Sequence, residues 1–202
     1  MKYLLLSLSA LLLACPPTSD DLLDGLPPTG DPVVLEPGPI EGAEELAAEA
    51  GTASVAGVEY VTPDTWTSRP PSSSMRVAEW VLPGEAICAL FSFPGGGSVD
   101  ANFQRWLGQF EQPDGTPSAD AARRMNMDVS GINVEFLQVT GTFNAPNAQM
   151  NGPGETFQNH GLFGAVFSTE PAPYFLKCTG PAPAIQEQAE ELTEFVASFV
   201  FR

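Results

Sequence analysis

The chain has 202 residues, with 25 acidic side chains against 8 basic ones and a formal net charge of −17. This is enough for one domain of common size plus extensions. The charge argues against a nucleic-acid-binding surface, which needs clustered Lys and Arg, and against a basic patch for an anionic membrane. It leaves two uses for the acid: solubility, or attraction of a cation or basic partner. The three cysteines, Cys15, Cys88 and Cys178, show no Cys-x-x-Cys spacing and adjoin no histidine cluster. Neither zinc nor thioredoxin-like chemistry is indicated, and no metal or cofactor is expected.

In chain order, Met1-Lys2-Tyr3 is a short basic start, and Leu4 to Leu13 is an apolar run interrupted by Ser7 and Ser9. The run is shorter than the roughly 20 apolar residues that span a bilayer and has the size of a signal-peptide core. It ends in Leu12-Leu13-Ala14-Cys15, which resembles the lipobox of bacterial lipoproteins. The resemblance implies that residues 1–14 are removed, that the Cys15 thiol carries diacylglycerol and that the new amine is acylated. Two or more acyl chains give stable anchoring, so the expected partner is a lipid bilayer at the bacterial cell envelope, on a periplasmic or outer-membrane face. The other reading, an ordinary cleaved signal followed by an incidental cysteine, also implies export. In an oxidising compartment Cys88 and Cys178 form an even pair, each inside a strand-like run. They are either a disulfide closing a loop of about 90 residues, contributing on the order of 4–5 kcal/mol, or two small buried thiols. Spacing alone does not bring the two strands together.

Residues 15–52 follow as a second segment. From Pro16 to Thr52 there is no Lys, Arg or aromatic residue, while nine acidic residues and recurrent prolines are present. Such a composition cannot bury enough apolar surface to offset the entropy of ordering, and a disordered tether is expected. It would reach roughly 110 Å as polyproline II and nearer 35 Å as a coil. Its expected role is to hold the domain off the lipid surface, with a tail for a basic partner as the alternative.

Residues 53–202 read as the folded domain. Ala53 to Val61 is a first strand, with Val58 and Tyr60 on one face. Thr62-Pro63-Asp64-Thr65-Trp66 is a turn, and Arg69 to Ser74 a loop. Met75 to Leu82 is a strand ending at Pro83-Gly84, and Ala86 to Phe93 reads as a central strand. After Pro94-Gly95-Gly96-Gly97, Ser98 caps a helix carrying Val99, Phe103, Trp106, Leu107 and Phe110 on one face. Arg123–Val129 and Ile132–Thr140 form a hairpin about Ser130-Gly131. Phe143 to His160 reads as a long polar loop. Gly161 to Phe167 and Tyr174 to Cys178 are strands. A single helix from Pro183 then presents Ile185, Ala189, Leu192, Val196 and Phe199. This order predicts an α+β fold: an antiparallel sheet packed with a mid-chain helix and a C-terminal helix.

Pro63-Asp64-Thr65-Trp66 after a first strand, and Tyr174-Phe175-Leu176-Lys177 before a terminal amphipathic helix, resemble the PsbP-like superfamily. The likeness covers roughly residues 53–202 and is carried mainly by the order of elements. That superfamily includes photosystem II extrinsic proteins and bacterial envelope lipoproteins. The Trp66 to Ser74 and Gly95 to Phe110 stretches are also similar to uncharacterised bacterial lipoproteins. The resemblance implies a PsbP-like sandwich. Because the superfamily's functions differ, it implies a binding or assembly role without naming a partner.

Gly95, Gly96 and Gly97 lie where a strand meets a helix, a place for either a simple turn or an anion nest. No Gly-Lys-Ser/Thr follows, so the loop is not a Walker loop, and no third glycine stands in the dinucleotide-binding register. His160 is the sole histidine, so a base–nucleophile pair would have to use it; a turn or surface histidine is the other reading. Trp66, Trp80 and Trp106 could stack on a sugar. Trp106 reads as core, which leaves Trp66 the freest of the three. Arg123-Arg124 is the only basic cluster in the sequence. The expected function is a non-enzymatic binding or assembly module, with an unknown envelope protein or small ligand as partner. The alternatives are an envelope hydrolase and a small-ligand module, each using the 143–160 loop.

Overall fold

The structure, a computed structural model, describes residues 52–146 and 154–202. The expectations for the leader, for Cys15 and for the acidic segment through residue 51 lie outside the described residues, as do residues 147–153 of the expected loop.

The described residues form an α+β fold with eleven strands and four α-helices, as the order of elements predicted. The strands are β1 Thr52–Val55, β2 Val58–Val61, β3 Thr67–Arg69, β4 Arg76–Val81, β5 Ile87–Ser92 and β6 Phe110–Glu111. They continue with β7 Arg123–Val129, β8 Ile132–Asn144, β9 Thr156–Phe167, β10 Tyr174–Pro181 and β11 Val200–Phe201. The helices are α1 Val99–Leu107, α2 Ser118–Ala121, α3 Ala182–Glu187 and α4 Ala189–Ala197. The large sheet runs β3-β4-β5-β10-β9-β8-β6, with β7 also paired to β8, and a small sheet runs β1-β2-β11. Every pairing is antiparallel.

Strand alternation splits the large sheet into two buried faces. On one face, Trp80, Phe163, Leu176 and the half-cystines pack with Leu192, Phe195, Val196 and Phe199. On the other, α1 lays Phe103, Trp106 and Leu107 over Leu137, Leu162, Val166 and Phe175. Ser98 caps α1, its hydroxyl accepting from the Ala101 N–H at 3.2 Å. Gly164 is what lets α1 sit so close: a Cβ there would lie 2.4 Å from the Trp106 ring.

Several elements depart from the sequence reading. The first strand is a hairpin, because Ala56 and Gly57 both take positive φ (51° and 80°) and reverse the chain in two residues. The Ser130-Gly131 turn uses the same device (53° and 81°), and Asp128 accepts from the Gly131 N–H. The expected loop 143–160 is strand at both ends: Phe143 pairs with Phe157, Asn144 with Thr156, and His160 with Gly141. Its outer residues are polar because β9 begins in solvent on both faces. The terminal helix is two helices broken at Gln188, and Phe199 lies beyond the second, just before β11.

Candidate functional site

Seven adjacent strands place one residue each in a register row across the α1 face of the sheet. The row reads Arg69, Glu79, Ala89, Lys177, Gly164, Leu137, Arg124. Helix α1 covers its Gly164–Leu137 end. The other end is a strip of charged side chains on β3, β4 and β10, bordered by Arg105 from α1.

Glu79 is the buried acid of this strip, 1% exposed. Arg69 and Arg76 both form ion pairs with it, and Ser72 donates to it through its hydroxyl at 2.9 Å and its backbone N–H at 3.3 Å. Burial alone would push the Glu79 carboxyl up; hydrogen bonds from Arg76, Ser72 and Arg69 together outweigh it and hold the pKa at about 2. The Arg76 guanidinium also lies 5.7 Å from the centre of the Phe91 ring.

Lys177 is the only lysine beyond Lys2. Its stem runs along an apolar strand, and its Nζ donates to Gln109 Oε1 and lies 5.5 Å from the centre of the Phe143 ring. Among the described residues no carboxylate pairs with Lys177 or with Arg105. Burial, then the like charges of Arg105 and Arg76, bring the Lys177 pKa down to about 8. Glu79 stands two strands away across Ala89, about 10 Å at ordinary strand spacing.

The residues singled out from sequence are distributed as follows. Cys88 and Cys178 face each other in register on β5 and β10 and are joined by a disulfide in the fully buried core. Trp66 is not free: it is 6% exposed, packs on Phe195, and donates its indole N–H to Gln188 at 2.8 Å and to Glu191 at 3.0 Å. The Pro63–Trp66 turn thus fastens the start of α4, and a tryptophan bound by its edge and face offers no platform. Gly95 and Gly97 take positive φ, while Gly96 lies against Phe175, whose ring a Cβ would meet at 2.6 Å. Asn102 closes this loop by donating to Gly96 and Ser98 carbonyls at 2.8 and 2.9 Å. His160 stacks on Phe143 (5.3 Å, 7°) and lies beside Phe157 (5.2 Å), and burial lowers its pKa. Among the described residues no group of three or more His, Cys, Asp or Glu side chains could hold a metal ion.

The basic cluster that the fold assembles is not Arg123-Arg124, the one adjacent in sequence. Arg124 turns to Asp100 at 2.8 Å and to the Phe103 ring. Arg69, Arg76, Arg105 and Lys177 come from four elements, brought together by strand register and by the seating of α1 over Gly164. The signal available in the sequence was a lone lysine inside an aromatic strand.

No family model matches the chain, and no curated protein matches it. Among solved structures it is similar to cyanobacterial PsbP from Synechocystis sp. PCC 6803, with a TM-score of 0.46 and 10% identity over 72% of this chain and 87% of that one. It is also similar to a protein from Bacteroides thetaiotaomicron VPI-5482 (TM-score 0.39, 12% identity, 72% and 45% covered). A Pseudomonas aeruginosa protein of unknown function is a third (TM-score 0.39, 11% identity, 75% and 96% covered). These are likenesses of fold.

Proposed function

We propose that the chain is an exported bacterial lipoprotein, held at a membrane surface by acylated Cys15, whose folded domain is a non-enzymatic binding module of the cell envelope. The observation that carries the export half is the Cys88–Cys178 disulfide in the core. Such bonds form and persist in oxidising compartments, and with this pair joined, Cys15 is the one cysteine left over, at the end of the apolar leader. The binding half is supported by the charged strip at Lys177, whose cations outnumber the carboxylates paired with them among the described residues.

The test is mass spectrometry of the intact, membrane-extracted protein, before and after reduction and alkylation. The expected mass is that of a chain beginning at Cys15 with acyl chains attached, gaining two alkyl groups only after reduction. An unlipidated mass that retains residues 1–14 would overturn the anchoring.

A further inference from the structure

The chain has 25 acids against 8 bases, yet among the described residues the half-buried Lys177 has no carboxylate partner. The groups that face Lys177 can be named element by element. From its own strand β10 come Phe175 and Thr179, and from β9 comes Gly164, which has no side chain. From β5 comes Ala89, and beyond it Glu79 and Arg76 on β4 and Arg69 on β3. From α1 and the turn after it come Arg105 and Gln109, and from β8 comes Phe143, with His160 stacked on it. Four of these groups, with Lys177 counted, are cations and one is a carboxylate. That carboxylate is committed to Arg69, Arg76 and Ser72.

We propose that Lys177 and Arg105, beside the Arg76–Glu79 ion pair, form a binding site for an oxyanion, the carboxylate or phosphate head of a small organic ligand. Arg105 is exposed and Lys177 is partly so, which leaves the site open to solvent. One Nη of Arg105 donates to Asn102 Oδ1 at 2.5 Å, which leaves its remaining N–H groups as donors beside the point charge of Lys177, a combination that suits oxyanions. A bound anion sets attraction against the repulsion between Lys177 and Arg105, so it binds with uptake of a proton wherever Lys177 is partly neutral. Phe91 and Phe143, beneath Arg76 and Lys177, hold the cations in place and keep the floor apolar. This names the ligand class of the binding module proposed above. It does not depend on the anchor.

The full-length protein in detergent, reductively methylated with 13C-formaldehyde, carries labels only at its lysines and its terminal amine. The Lys177 signal is assigned by its loss in Lys177→Gln. Titrations use inorganic phosphate and, separately, acetate, each at ionic strength held constant with sodium chloride. The expected result is a saturable shift of the Lys177 signal and a rise of about one unit in its titration midpoint, with affinity falling about tenfold in Arg105→Gln and recovering in part in Arg105→Lys, which restores the charge without the paired donors. Saturation by phosphate alone assigns a phosphate head, and by acetate alone a carboxylate head. Either response, or both, supports the site. A shift that never saturates, one that chloride reproduces, or one that Arg105→Gln leaves unchanged overturns it. A protein of lipidated mass with no saturable shift would lose the ligand class and keep the anchor; an unlipidated one that saturates would do the reverse.

Discussion

Glu79 shows how one side chain organises a surface that no local motif announces. Its carboxylate is out of water and held by two arginines and a serine, so its folded pKa of about 2 lies below the ordinary 4.5. A depressed carboxylate contributes stability that is present above the ordinary value and lost as pH falls through the folded one. The acid limb of the stability curve should therefore descend between pH about 4.5 and about 2, and Glu79→Gln should flatten it. At pH 7 the same change leaves Arg69 and Arg76 without their counter-charge and should cost about 2–3 kcal/mol. That is the low end for a buried pair, since both arginines reach solvent. Urea unfolding of the two proteins across that pH range measures both effects; parallel acid limbs would refute the assignment. None of this was legible from sequence, because Arg69 to Ser74 reads as a loop and Glu79 as one polar residue in a weak strand. Trp66 failed in the opposite sense. Its turn was read correctly, but the partners that bury its ring, Phe195, Gln188 and Glu191, lie more than a hundred residues away.

At the level of elements, legibility followed periodicity. Strand β5, helix α1 with its Ser98 cap as far as Leu107, and the β7–β8 hairpin were readable, because apolar spacing and turn residues agree there; Phe110, expected on the helix face, instead begins β6 and pairs with Phe143. The β1–β2 hairpin was not, since Ala56 takes a left-handed conformation that its residue type does not advertise. The ends of β8 and β9 were missed because pairing, not burial, keeps them extended. The docking of α1 is the element-scale feature most open to test. Trp106 occupies the space above Gly164 where a side chain would stand, and Trp106 with Phe103 covers Leu137 and Leu162. Gly164→Ala should displace the ring and lift that part of α1, costing about 1–3 kcal/mol as an overpacked core does. Chemical denaturation would show a lower midpoint together with altered near-ultraviolet dichroism from the tryptophans. An unchanged midpoint would mean that α1 is not seated on the glycine.

At the scale of the whole molecule, one covalent bond ties stability to redox conditions. Cys88 and Cys178 lie on neighbouring strands of the sheet, 90 residues apart in sequence, and both are fully buried. In the chain-entropy account, closing a loop of that size contributes on the order of 4–5 kcal/mol. For a domain of about 150 residues, each kcal/mol moves the melting temperature by roughly 2–4 °C. A chain starting after Cys15 and made in a reducing cytosol should therefore fold to the same sheet, since the half-cystines are also small apolar residues of suitable size. It should melt about 10–15 °C below the same chain oxidised. Because the bond is buried, reductant added to the oxidised native protein should open it only as fast as the fold opens, whereas reductant added during unfolding should act at once. Melting curves of the two preparations, with thiol counts before and after, decide the matter. A large difference makes an exported location the one in which this sequence is adequately stable. Coincident curves would remove the disulfide from the case for export and leave that case resting on the Leu12-Leu13-Ala14-Cys15 signal alone.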